Sequence, residues 1–308
     1  MFNFLRSEYS IKYNSLLKLS DKTYKVLTDN RYYIIKEVND TSLDNVYRRL
    51  LLSKVNFVLF PLIGRNDNYV QIEDDKKYIV LPFFDDEKIL ANDLKSDLFI
   101  NFLIDLHLKT SIEIDINNSF LDTTLNYLDN SIKKVSDMIN SRMEVIERSD
   151  YHSPNDWYFL MHFNVLNSAL EKASKHVLNF ENDVKNNKSL RLALTYQNFD
   201  FNHILLKEEK IISLEKMNYN IISYDLYDFI SKVSSYNISM VNLLKTYLNK
   251  NPLLECEKEY LFAVLYIFNY TRFENMLDDL SFLIDLVNYI EKIDRLEEEV
   301  IFSLESSE

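Results

Sequence analysis

The stretch Leu192–Val233, LALTYQNFDFNHILLKEEKIISLEKMNYNIISYDLYDFISKV, decides the fold. It reads as strand, loop, strand, turn, strand, loop, helix. The extended pieces are Leu192–Tyr196, His203–Leu206 and Lys210–Leu214, each a short apolar run bounded by polar residues. Asn198, Asp200, His203 and Glu215 sit at the ends of these runs, where side chains can converge. A histidine with two carboxylates is a donor set for a divalent metal. Polar residues closing the loops of a small sheet are the simpler reading of the same spacing. Asp225, in YDLYDF, stands where an N-cap of the following helix is expected.

N-terminal to this stretch, residues 9–84 read as mostly β. Apolar runs at Ser15–Leu19, Thr23–Thr28, Tyr32–Val38, Phe57–Ile63, Tyr69–Ile72 and Tyr78–Phe84 alternate with polar turns. Asp29-Asn30 is a hairpin signal. Asp40–Ser53 interrupts the strands with capping residue types followed by DNVYRRLLL, a short helix. In RYYIIKEV, alternation puts Lys36 on one face with Tyr32, Ile34 and Val38. A lysine so placed either snorkels to an edge or meets an anion.

A connector near Leu81–Asp86 leads into a helical region. Leu94, Leu98, Phe102 and Leu106 recur at i+4, and further helices are expected at 119–146, 156–178, 225–248, 256–269 and 272–298. Residues 181–189 read as a polar loop. The layout is α+β: a β-rich lobe over 1–84, a helical lobe with a small β insert over 85–302, and a frayed tail at 303–308.

The 308 residues include one glycine, Gly64. Average usage would give about twenty. Phosphate-cradling loops need glycine, because the backbone must turn with positive φ and approach the ligand without a Cβ. The chain therefore has no GxGxxG fingerprint, no GxxxxGK[ST] P-loop and no GxSxG elbow. The net charge is −13, and no cluster of lysine and arginine offsets it, which argues against nucleic acid as a partner. Cys256 is the single cysteine, so no intrachain disulfide can form. MFNFLRSEYS lacks the apolar core of a signal peptide, and no apolar run is long enough to cross a membrane. The expectation is a cytoplasmic protein.

His107, His152, His162 and His176 are scattered without metal-ligand spacing. Ser153–Trp157, SPNDW, reads as a helix N-cap with an aromatic anchor. Tyr260–Phe268 is continuously apolar and reads as a helix buried all round. Met276, Leu280, Leu283, Val287 and Ile290 form a seam suited to packing within the chain.

Taken together, these segments resemble the aminoglycoside/choline phosphotransferase-like kinases, in particular their spore-coat kinase-like branch. The resemblance covers nearly the whole chain, each motif matching loosely. The family pattern is a hydrophobic strand, HGD, four residues, N-I-L, then a strand ending in D-F and a D-L that opens a helix. Here Tyr196-Gln197-Asn198 lies at HGD, His203-Ile204-Leu205 at N-I-L, Leu214-Glu215-Lys216 at the metal-binding aspartate, and Asp225-Leu226 at the D-L. Lys36 matches the phosphate-contacting lysine, Leu103–Thr110 (LIDLHLKT) resembles an LHxxT helix end, and Glu257–Phe268 resembles the branch's C-terminal region. The resemblance implies a two-lobed protein-kinase-like fold with a small antiparallel N-lobe sheet and a mostly helical C-lobe. It implies nucleotide contacts from Lys36, Leu81 and Phe83, metal contacts from His203 and Glu215, and a structural role for Asp225.

The departures from the family bear on function. Asn198 replaces the catalytic aspartate and cannot act as a base. His203 is a softer ligand than asparagine, a poor match for magnesium. Glu215 is one methylene longer than the expected aspartate. The nucleotide loop, Leu19–Lys25, has no glycine. The inserted helix offers only Asp44, and no glutamate, to pair with Lys36. These losses imply a pseudokinase acting as a binding or scaffold protein toward a protein partner, with no cofactor. The alternative is an atypical ATP- and magnesium-dependent small-molecule phosphotransferase with Asp200 as base. A third reading is a plain α+β interaction protein, in which Lys36 and Glu215 lie far apart.

Overall fold

A computed structural model describes residues 2–85, 91–116 and 118–305. In chain order the elements begin with helix α1 (Phe4–Tyr9), strands β1 (Ser15–Ser20), β2 (Thr23–Leu27) and β3 (Tyr32–Val38), and helix α2 (Ser42–Leu52). Strands β4 (Gln71–Glu73) and β5 (Lys76–Pro82), helix α3 (Asn92–Thr110) and strand β6 (Ile112–Asp115) follow. Next come α4 (Asn118–Glu147), α5 (Pro154–Asn187), β7 (Ser189–Thr195), β8 (Ile204–Leu205), β9 (Lys210–Ile211) and β10 (Asn218–Ile221). Four helices close the chain: α6 (Ser223–Val233), α7 (Met240–Lys250), α8 (Glu255–Tyr266) and α9 (Met276–Glu305). They pack into two compact units, one of Met1–Thr110 with Leu194–Tyr219, the other of Ser111–Ala193 with Asn220–Glu308.

The first unit is built on an antiparallel sheet of order β1-β2-β3-β5-β4. Alternation along the strands sends Val26, Ile35 and Val80 to one face, where Phe2, Phe4, Leu5 and Tyr78 cover them. Phe4 stacks on Tyr78 with ring centroids 5.4 Å apart. Ile34 and Lys36 therefore face the other way. The β1–β2 hairpin closes between Ser20 and Thr23 with an irregular register. The expected nucleotide loop is thus a two-residue turn, Asp21-Lys22, and Asp21 pairs with Lys18 at 2.9 Å.

Several expectations need correction. Phe57–Ile63 is not a strand. It makes one isolated bridge, Val58 with Ile211, and Pro61 has no N–H to continue a ladder. Of the expected i+4 stripe in α3, Leu94 is exposed, while Lys95 and Ser96 are buried beside it. Residues 181–187 are helical, because Phe180 and Val184 are buried one turn apart in α5. Residues 225–248 are two helices, α7 starting at an N-cap where Ser239 accepts from Asn242 N–H at 3.3 Å. Residues 303–305 continue α9, and 306–308 lie outside the described residues, as does Asp86 of the connector.

The second unit is helical, with a core that includes Leu128, Phe180, Val184, Leu190, Tyr260 and Ala263. Strand β6 pairs antiparallel with β7 through Ile112 and Leu192. The expected cap of α5 is present: the Ser153 side chain accepts from Asp156 N–H, and Asp156 accepts from Ser153 N–H at 3.1 Å. Residues Tyr260–Tyr266 of α8 are all buried. Among the described residues, no helix is long and apolar enough to cross a membrane.

Candidate functional site

The site lies within the first unit. Strand β3 carries Lys36, and the return segment after β7 carries Asn198, His203, Ser213 and Glu215. Helix α3 holds that segment. Phe99 meets Phe199 at 4.6 Å between ring centroids and Tyr196 at 5.5 Å. The buried Lys95 donates to Phe201 O at 2.9 Å. Thr110, at the end of the LHxxT-like motif, accepts from Leu194 N–H at 3.1 Å, which fixes where β7 enters. Nothing in the sequence singles out Lys95; a lysine one residue from Leu94 looks like an ordinary exposed helix position.

Three residues of the segment have left-handed backbone without glycine: Gln197 at φ 54°, Glu209 at φ 50° and Ser213 at φ 65°. Such a φ is costly for residues with a Cβ. Gln197 offsets part of that cost by donating to Thr195 Oγ1 and Asn218 Oδ1, both at 2.7 Å. Gln197 stands where HGD has its glycine, so the backbone bend is retained without the residue that makes it easy.

Lys36 and Glu215 meet. Lys36 Nζ is 2.5 Å from Glu215 Oε1, with side chains 27% and 25% exposed. Lys36 also donates to Ser213 Oγ at 3.2 Å. Asp44 is elsewhere engaged: it accepts from Arg48 Nε and from Tyr69 N–H, each at 2.6 Å. The carboxylate beside Lys36 therefore comes from the metal-ligand position of the resemblance, not from the inserted helix.

Asn198 uses its amide as a donor, to Ser213 O at 3.1 Å. His203 Nδ1 is 2.9 Å from Asn198 O and 3.1 Å from Tyr196 Oη. A carbonyl can only accept, so Nδ1 carries the proton, and Tyr196 gives its own proton to Ile212 O at 2.7 Å. Burial pushes the imidazole below its usual pKa against the opposing pull of that carbonyl and of Asp200. His203 is thus a neutral, fixed side chain with its lone pair on Nε2. Asp200 accepts from Asn202 N–H at 2.7 Å and caps the 3-10 turn Phe201–His203. Asp225 lies in the second unit, buried in the first turn of α6, where a carboxylate suits the helix dipole.

Leu81, Phe83 and Lys36 line one cavity of about 280 Å³ with Ile34, Leu59 and Leu205. Lys25, from the expected nucleotide loop, lies with its ammonium 3.6 Å from the centre of the Phe83 ring. Among the described residues, no group of three or more His, Cys, Asp or Glu side chains is placed to hold a metal ion. Of the two expected metal contacts, Glu215 is paired with the Lys36 ammonium, and His203 has only Nε2 to offer, a softer donor than the oxygens magnesium takes. This donor set does not fit the magnesium of a phosphotransferase.

No protein-family model matches the chain. No curated protein matches it. Solved structures do. An aminoglycoside phosphotransferase from Alicyclobacillus acidocaldarius superposes with TM-score 0.69 at 10% identity, covering 94% of this chain and 93% of that one. The AMP-bound complex of a spectinomycin phosphotransferase gives TM-score 0.56 at 14% identity, covering 94% and 95%. The same enzyme with ADP and spectinomycin gives 0.53 at 13%, covering 95% and 96%. The chain has the α+β, two-lobed, kinase-like fold that the aminoglycoside phosphotransferases share.

Proposed function

We propose that the protein is a pseudokinase: a kinase-fold chain that does not transfer phosphate and acts by binding, as a scaffold for a protein partner in the cytoplasm. The observation that carries this reading is the Lys36–Glu215 ion pair. Phosphoryl transfer is catalysed by positioning and by neutralising the charge of the transferred group with metal and lysine. Here the lysine and the carboxylate expected at the metal neutralise each other. The group at the base position, Asn198, cannot take a proton. Asp200, the substitute base of the alternative reading, is occupied as a cap. The turn Asp21-Lys22 is too short to wrap a triphosphate and carries a carboxylate at its tip. The spectinomycin phosphotransferase structures hold AMP or ADP, but the charge and donor pattern among the described residues of this chain gives no matching phosphate site. No cofactor is part of the proposal, and the net charge of −13 sets nucleic acid aside as partner.

The test is a transfer screen with γ-labelled ATP and magnesium against small hydroxyl and amine compounds, aminoglycosides included. The expected result is no label transfer above that of an Asp200→Ala, Glu215→Ala double variant. Transfer that the double variant abolishes would establish the atypical phosphotransferase instead.

A further inference from the structure

The cavity beside Lys36 has walls of one chemical kind. Among the described residues that line it, Ile34, Leu59, Leu81, Pro82, Phe83, Phe84, Leu205 and Ile212 are apolar, and Thr23, Lys36 and Ser213 bring the polar side chains. Its volume, about 280 Å³, lies just below the roughly 300–1,000 Å³ of small-molecule sites. That is room for a flat bicyclic ring.

A purine base needs backbone donors for its ring nitrogens. Pro82 has no N–H, and Phe83 spends its own on Tyr32 O at 3.1 Å. A triphosphate needs cations. Lys36 is neutralised by Glu215 at 2.5 Å. Lys25 lies over the Tyr32 and Phe83 rings at 4.4 and 3.6 Å. Lys18 is paired with Asp21, and Lys22 donates to Asn39 Oδ1 at 2.9 Å.

The polar end of the cavity offers donors. An ammonium has three N–H groups; Lys36 directs one to Glu215 and one to Ser213 Oγ, which leaves one. Ser213 accepts that bond with its oxygen and keeps its hydroxyl hydrogen. We infer that this cavity binds an uncharged, flat, largely apolar compound bearing one carbonyl-type acceptor, which docks on Lys36 and Ser213 while the rings fill the space between Ile34, Leu81 and Leu205. This inference rests on the non-catalytic reading of the same site and names its ligand class. A net-neutral Lys36–Glu215 pair favours a neutral acceptor over an anion, because an added charge would be desolvated without compensation.

Coumarin, a neutral bicyclic lactone, is the probe, with adenosine and ATP plus magnesium as comparators. Binding is followed on the full chain by ligand-observed NMR. Coumarin should bind saturably, independently of magnesium, and ATP should not displace it. Leu205→Trp fills the cavity and should weaken coumarin at least about tenfold. Ile34→Trp fills it from strand β3 and serves if the first variant does not fold. No coumarin binding, or binding that neither folded variant weakens, overturns the inference and leaves the absence of phosphate transfer intact. Magnesium-dependent ATP binding that displaces coumarin overturns the inference and removes the support for the non-catalytic reading as well.

Discussion

In the second unit, Arg142 and Asp279 have side chains 1% and 0% exposed, and two guanidinium nitrogens meet the carboxylate at 2.7 and 3.1 Å. Asn155 adds a bond to the same carboxylate at 2.5 Å, and Tyr270 Oη receives Arg142 at 2.9 Å. Burial opposes the ionised Asp279, and these donors overcome it, holding its pKa below the usual range. In the first unit, Lys36 and Glu215 are equally close, yet a quarter of each side chain is open and the pair borders a cavity. Distance does not separate the two pairs; surroundings do. A sealed pair with every lobe of its carboxylate bonded is part of the fold. A half-open pair with spare donors is part of a site.

The largest effect tests the sealed pair. Asp279→Ala removes both close charge-assisted bonds of the buried Arg142 and leaves it only the Asp156 carboxylate, 3.7 Å away, as counter-charge, and should cost about 3–5 kcal/mol in urea denaturation. A cost near that of a surface substitution would erase the contrast. His176 sharpens it within the same unit. Its imidazole lies 2.7 Å from Glu259 and 3.0 Å from Glu297. Burial lowers its pKa, but the two carboxylates outweigh burial and raise it to about 9. The raised value means the folded state holds the proton more tightly than the unfolded chain. The stabilisation is complete below the ordinary histidine range near 6.5 and is lost as pH rises to about 9. Melting temperature should fall between pH 7 and 9.5, and His176→Gln should flatten that fall.

Gly64 gives a smaller effect. The glycine does not have a positive φ; a Cβ there would lie 2.5 Å from Gln71 Nε2 and 2.8 Å from Asn66 Oδ1. Those amides are bonded to each other at 2.8 and 3.0 Å, with Gln71 buried. Gly64→Ala should break this pairing and cost about 1–2 kcal/mol, measured by chemical denaturation. The smallest effect is at the half-open pair. Glu215→Gln should change stability by no more than about 1 kcal/mol. A loss as large as that of Asp279→Ala would make Lys36–Glu215 a structural pair and undo the comparison.

The same contrast explains what could be read from the sequence. The strands around Lys36 were legible because aromatic and β-branched residues, YYII in β3, run between polar turns. Asn198, His203 and Glu215 could be named because each stands at the end of an apolar run. Ser213 was missed: its role comes from a left-handed φ and a contact 177 residues away in sequence, and neither leaves a local mark. Lys95 was missed because burial of its ammonium depends on Phe201 O, a tertiary partner. The end of α5, residues 181–187, was misread as a loop because Val184 is the single apolar residue in ENDVKNN. The apolar run Phe57–Ile63 looked like a strand, since composition does not report whether an edge is available to pair with.

The most direct measurement is a thermal melt of the intact chain titrated with ATP, with and without magnesium. A ligand that binds the native state raises the melting temperature in proportion to its occupancy. Mutual neutralisation of Lys36 and Glu215 predicts no rise that depends on both ATP and magnesium. A saturable rise requiring both, and lost in Glu215→Ala, would show that the carboxylate leaves the lysine to hold a metal triphosphate and would contradict the account.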